Sequence, residues 1–199
     1  MKKKALVSVS DKNKIVEISK FLVENNYEIV STGGTEKKLN KNGIPVIPVE
    51  KITNIPEIMN GRVKTLHPLI FGGILADKKN KSHLKDLELM NGTIFDIIIV
   101  NLYPFEEKAI GGQLQDDLAI EFIDVGGPSM LRAAAKNFNS IIVLSNPNQY
   151  SDFINEYIHN KGNISLEKRK SLALEVFKMT SQYDQMIVSF LRKDKEFIP

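Results

Sequence analysis

The 199-residue chain contains no cysteine. That absence removes disulfides, thiolate metal sites and cysteine nucleophiles together, and it suits a reducing compartment. Long apolar runs are missing as well. The most apolar stretch, Phe95 to Val100, falls far short of the ~20 residues that span a bilayer. Met1 is followed by three lysines and a short apolar segment that reaches the polar Ser8-Val9-Ser10-Asp11 too soon for a signal peptide. A cytoplasmic protein with no membrane contact is expected. Neither sign of charge dominates, with 27 basic against 24 acidic residues and a net +3. Lys2 to Lys4, Lys37-Lys38 and Lys78-Lys79 read as solvated surface. No aromatic residues interleave with them, so nucleic acid is not an expected partner. The three histidines, His67, His83 and His159, are isolated in the chain. Nothing resembles a serine triad or a metal site, and neither metal nor cofactor is expected. What is present is 42% hydrophobic residues, enough to bury a core in a domain of this size.

Along the chain, apolar strands alternate with helical patterns. Ala5 to Val9 reads as a buried strand, with Ser10-Asp11 as the start of a helix that repeats Ile15, Ile18, Phe21 and Leu22 at helical spacing. Glu28 to Ser31 is a second strand, closed by Thr32-Gly33-Gly34-Thr35 and a helix to about Asn42. Val46 to Val49 is a third, placed near an edge by its proline. Residues 50–75 read mostly as loop, and Leu84 to Met90 as a helix. Phe95 to Val100 has the continuous apolarity of a central parallel strand. Gly126-Gly127-Pro128 opens a helix with proline at its first position, Ser140 to Leu144 is a fifth strand, and residues 148–159 and 165–192 are helical. The expected fold is an α/β parallel sheet with helices on both faces. Residues 1–147 are expected to form the domain built on the sheet, and residues 148–199 helices that pack on it.

Ligands of parallel sheets collect at the carboxyl ends of strands, and three informative clusters fall there. Ser10, Asp11 and Lys12 follow strand one. Thr32, Gly33, Gly34 and Thr35 follow strand two, where a glycine turn at a helix start offers free N–H groups to a phosphate. Val100, Asn101 and Tyr103 end strand four. Each short motif alone also serves as an ordinary cap or turn; together at neighbouring strand ends they point to a phosphate. A fourth stretch, Gly61 to Pro68, carries Arg62, Val63, Lys64, Thr65 and His67. With His67 before a proline, an extended segment is expected, which would put Arg62 and Lys64 on one face with an anion between them. A solvated loop with incidental charges is the alternative. The fifth stretch runs from Asp124 through Val125, Gly126 and Gly127 to Lys136 and Asn137. On its helix Ser129, Arg132 and Lys136 share a side. Asp124 as a cap and Lys136 as a surface residue is the structural alternative.

Taken together and in this order, these motifs resemble the inosine monophosphate (IMP) cyclohydrolase domain, the amino-terminal half of a bifunctional purine-synthesis enzyme that also carries a formyltransferase. The likeness runs from about residue 4 to residue 190. It implies the fold of methylglyoxal synthase and its relatives, a homodimer, and a nucleotide substrate, the ribonucleotide of 5-formamido-imidazole-4-carboxamide, closed to IMP with loss of water. By the same resemblance Lys136 is the main proton donor and acceptor, Lys64 stabilises negative charge on the formyl oxygen, and Tyr103 with Asp124 forms a relay beside the carboxamide. Ser10, Lys12, Thr32, Gly33, Gly34 and Thr35 would hold the 5′-phosphate, with Asp11 also among the substrate-binding residues. Arg62, Val63, Thr65, Val100, Asn101, Val125 and Gly126 would line the nucleotide pocket. The chain is too short to hold the formyltransferase half, which is expected to be fused elsewhere or absent. Two other readings share the fold: a phosphate-eliminating lyase like methylglyoxal synthase, and a regulatory nucleotide-binding domain.

Overall fold

The computed structural model describes residues 2–103, 105 and 116–192. Among these, five strands form one parallel sheet: β1 (Lys3–Val9), β2 (Tyr27–Ser31), β3 (Val46–Pro48), β4 (Ile97–Asn101) and β5 (Ile142–Leu144), in the order β3-β2-β1-β4-β5. The helices are α1 (Ile15–Glu24), α2 (Gly33–Lys41), α3 (Val49–Thr53), α4 (Pro68–Leu75), α5 (Lys81–Leu89), α6 (Asp116–Ile120), α7 (Gly126–Lys136), α8 (Gln149–His159) and α9 (Leu166–Arg192). The parallel α/β architecture expected from the sequence is the one observed, with β3 at an edge.

Strand β1 lies at the centre because its middle, Ala5-Leu6-Val7, is wholly buried, as is Ile97-Ile98-Ile99 of β4 beside it. Strands covered on both faces need apolar residues at every position, not every second one. From β1 the chain builds outward through β2 to β3, then returns past β1 to build β4 and β5 on the other side. Right-handed crossovers in opposite directions put their helices on opposite faces. Helices α1, α2 and α8 pack together, with Phe21 edge-on to Phe153 and to Tyr157. Helices α4, α7 and α9 form the other group. Tyr150, Phe153, Leu172 and Val176 of the last two helices share the buried cluster of the strands, so those helices complete the main core.

Three local expectations are corrected. Ser10-Asp11 does not start α1, which begins at Ile15 after Lys14 passes through the left-handed region (φ 54°). Residues 50–75 are not mostly loop: they hold α3, a 3₁₀ turn at Met59–Gly61 and α4. Helix α4, Pro68-Leu-Ile-Phe-Gly-Gly-Ile-Leu75, is apolar nearly all round, so it shows no amphipathic stripe. Its start is marked instead by His67, extended before the proline as expected, whose Nδ1 accepts the Leu69 N–H at 3.1 Å. Pro128 is the third residue of α7, not the first.

Gly73 shows how closely α4 meets the sheet. A methyl group there would lie 2.2 Å from the Thr93 carbonyl oxygen and 2.9 Å from the Phe95 ring. The Gly73 carbonyl also accepts the Phe95 N–H at 3.1 Å, so neither backbone can retreat. Alanine gains about 1 kcal/mol of helix propensity, and overpacking of this severity costs about 3 kcal/mol. Gly73→Ala should therefore lose about 2 kcal/mol, read as a lower urea midpoint at unchanged slope.

Candidate active site

A cavity of about 830 Å³ opens over the carboxyl ends of β1, β2 and β4 and is closed on the far side by residues 60–65 and 120–127. Its size suits a small molecule such as a nucleotide. Its position follows from topology: β1 and β4 are the neighbours whose chains lead away in opposite directions, which leaves a crevice between their carboxyl ends.

The floor is a glycine turn. Thr32 follows β2 in extended geometry (φ −146°, ψ 151°), Gly33 takes φ +54°, and α2 begins at once. The first N–H groups of a helix have no partner within it and favour an anion. Two ammonium groups from separate loops converge there. Lys64 Nζ lies 3.1 Å from where a Gly33 Cβ would sit, and Lys12 Nζ lies 3.7 Å from that position on Gly34. The Thr32 hydroxyl, buried at the same turn, has no hydrogen-bond partner among the described residues. Thr35 is spent on structure, its hydroxyl bonding both the N–H and the carbonyl of Val9 at 3.0 Å.

Asn101, at the end of β4, lines the cavity, and most of its amide is also spent on structure. Its Oδ1 accepts the N–H of Ser10 (2.7 Å) and of Asp11 (3.0 Å), and its Nδ2 donates to the Asp11 carbonyl (3.0 Å). This clamp holds Ser10 at the rim beside Val100 and explains why Ser10-Asp11 is not a helix cap. Asp11 itself turns away, accepting the Asn13 N–H and facing an adjoining polar groove.

Residues 61–65 form turns, not the extended segment expected from the sequence, because Asn60 and Gly61 occupy the left-handed region (φ 54° and 86°) and Arg62 is helical. In this path each of the two cations meets a carboxylate from elsewhere in the chain. Arg62 pairs with Glu121, and Lys64 pairs with Glu57 at 3.2 Å. Val63 faces a smaller hollow beside Leu66 and His67. Thr65 is buried, its Oγ1 2.8 Å from the Cβ position of Gly126. The segment thus bridges the β2 turn and the start of α7.

At that start Asp124 Oδ1 accepts the Gly127 N–H at 2.9 Å. A Cβ on Gly127 would come within 2.3 Å of Asp124 Oδ2, so glycine is required for the carboxylate to sit there. Burial pushes the Asp124 carboxyl above its ordinary range, and the N–H groups of Gly127 and Gly126 only partly oppose this. Val125 and Gly126 line the cavity, as does Tyr103, whose ring lies against Phe122 at 5.9 Å. Among the described residues no hydrogen bond joins Tyr103 to Asp124; Pro104, next to Tyr103 in its motif, lies outside them. Lys136 is the last residue of α7, exposed and absent from the cavity wall. At 1.5 Å per residue it stands about 15 Å along the axis from Gly126. The three alanines before it are buried against the core.

Of the sequence-derived candidates, the structure gathers Ser10, Lys12, Thr32 to Thr35, Arg62, Lys64, Thr65, Val100, Asn101, Tyr103, Asp124, Val125 and Gly126 around one cavity, and leaves Asp11, Val63 and Lys136 outside it. Sequence reasoning missed Glu57 and Glu121, the carboxylates that hold the two cations. No spacing links either to its partner, since Glu121 lies far along the chain and Glu57 belongs to a stretch without periodicity.

Comparison with known proteins identifies the family. The MGS-like domain matches residues 14–129, and the AICARFT/IMPCHase bienzyme family matches residues 134–199. The chain is 49% identical over 199 residues to the bifunctional purine biosynthesis protein PurH of Clostridium botulinum (strain Eklund 17B), covering all of this chain and 39% of that protein. It is 50% identical over 197 residues to PurH of Fusobacterium nucleatum, covering 99% of this chain and 38% of that one. The chain therefore spans well under half the length of these relatives. The crystal structure of ForH superposes with a TM-score of 0.83 at 31% identity, covering 96% of this chain and 100% of ForH. The chain belongs to the MGS-like family, in the form that continues into the AICARFT/IMPCHase bienzyme region.

Proposed function

We propose that this chain is an IMP cyclohydrolase, closing the ribonucleotide of 5-formamido-imidazole-4-carboxamide to IMP and water in purine biosynthesis. One observation carries the reading: two ammonium groups converge on a helix-opening glycine turn in the same cavity that holds a half-buried aspartate and a tyrosine. The first pair suits a 5′-phosphate and the second the proton transfers of ring closure. The bifunctional name of the relatives supports it. A formyltransferase half fused in the longer relatives and assembly as a homodimer belong to the same proposal.

In the reaction the carboxamide nitrogen bonds to the formyl carbon and gives up one proton, while the formyl oxygen takes the electron pair of its double bond. That oxygen then leaves as water with a proton from the formamido nitrogen. An amide nitrogen is a poor nucleophile, so the site must receive its proton and stabilise the oxyanion. Asp124, fixed by the Gly127 N–H and raised by burial, is suited to take a proton and return it. Tyr103, set by Phe122, presents a hydroxyl at the same wall. Lys64 lies between the glycine turn and α7, where its charge serves either the phosphate or the oxyanion. Lys136 stays in the proposal on the resemblance alone; an unchanged kcat in Lys136→Ala removes it.

The test is to mix the purified chain with the formamido nucleotide and follow the ultraviolet spectrum of IMP. Turnover is expected, and Lys64→Ala should lower kcat/KM by about 10²–10³ with an unchanged circular dichroism spectrum. Nucleotide binding without turnover in the wild-type chain overturns the reading in favour of a regulatory domain. A second outcome concerns stability. Because the folded Asp124 pKa lies above its ordinary 3.8, this carboxyl favours the folded state only at low pH, and that benefit is lost as pH rises through the folded value. Asp124→Asn should therefore abolish turnover yet melt no lower than wild type at pH 8, with any advantage vanishing below about pH 4.

A further inference from the structure

Helix α9 reaches the acidic end of the cavity without lining it. Tyr183, near its middle, is 3% exposed. Its hydroxyl accepts the N–H of Asp124 at 2.8 Å and stands 3.3 Å from the Phe122 carbonyl, to which it donates. One phenol thus ties both ends of a three-residue stretch whose side chains form the cavity wall. The ring cannot shift, because it sits in a separate small core with Phe105 and Ala119, edge-on to Phe105 at 6.3 Å, while Phe190 closes on Phe105 at 5.4 Å. Loops that carry functional groups need such support, since they make few contacts of their own. Phe122 is also the ring on which Tyr103 rests, so the same hydroxyl bears on both proton-transfer candidates.

We infer that Tyr183 of α9 is a positioning residue for the reaction: it fixes the Phe122–Asp124 backbone and so sets where the Asp124 carboxyl and the Tyr103 phenol stand. Asp124 lies in the part of the chain that matches the MGS-like domain, and Tyr183 in the part that matches the bienzyme region. The MGS-like part therefore takes the placement of its acidic loop from the segment that follows it. The kinetic half of this inference rests on the cyclohydrolase reading; the structural half does not.

The experiment compares the wild-type chain with Tyr183→Phe, which keeps the ring and removes only the hydroxyl, and with Ile187→Val, which loosens the same small core and leaves both hydrogen bonds. Measured are kcat and KM for the formamido nucleotide, IMP binding stoichiometry, and amide exchange by NMR. The expected result for Tyr183→Phe is one IMP bound per chain, KM within about twofold, kcat lower by about tenfold, and faster exchange of the Asp124 amide. Ile187→Val should keep kcat within about twofold of wild type. Unchanged kcat in Tyr183→Phe, or an equal loss of kcat in Ile187→Val, overturns the positioning role. Unchanged Asp124 amide exchange in Tyr183→Phe overturns the tie itself. A wild-type chain that binds IMP without turnover overturns the cyclohydrolase reading and the kinetic role with it, and is seen before any variant is made.

Discussion

Everything at the site depends on β1 having a neighbour on each side that leads the chain a different way. β2 and β4 both pair with β1 in parallel, yet one belongs to the outward run and the other to the return. The carboxyl ends of all three must then be covered by connections that come from different directions and cannot cross. The gap they leave is the cavity. Asn101 spans it at the point of divergence, holding the loop after β1 with the side chain that ends β4. Without that clamp the loop that carries Lys12 would have no fixed relation to β4.

The fold was legible because its strands need burial on both faces, and burial on both faces leaves an unmistakable mark: Ile97-Ile98-Ile99 and Ala5-Leu6-Val7 admit no polar residue. The glycine turn after β2 was legible for a similar reason, since Gly33 takes a backbone conformation that few other residues accept. Helix α4 was not, because a helix apolar nearly all round has no polar face to give its period away. The segment from Gly61 to Thr65 was read as extended from the proline after His67, and that proline does restrain His67. Its influence does not reach back to Arg62, where the left-handed Asn60 and Gly61 decide the path instead.

The chemistry was legible in its residue types and less so in its partnerships. Lys12 and Tyr103 could be named because charged and phenolic groups at strand ends have few structural uses, and Lys64 and Asp124 because each lies in a stretch dense in polar residues. What orients each of them comes from elsewhere in the chain. Glu57 restrains Lys64, Phe122 supports Tyr103, and Tyr183 sits behind Asp124. Such contacts follow from tertiary packing, which leaves no period in the sequence. Lys136 is the converse case: its motif singles it out, and the rise of α7 carries it away from the cavity.

The two ion pairs at the cavity, Arg62 with Glu121 and Lys64 with Glu57, change what an entering anion meets. At Arg62 and Lys64 it finds counter-charges already in place and must exchange for a carboxylate, whereas Lys12, held by the Val9 and Ser10 carbonyls, pairs with no carboxylate among the described residues. The electrostatic gain of that exchange is small, because one anionic partner replaces another in a partly solvated site. Under the proposed reading a free inorganic anion gains mainly the charge of Lys12, while a nucleotide would gain from the rest of the wall as well. Selectivity would then be set by what is attached to the phosphate, although the phosphate is the group that the cations would recognise.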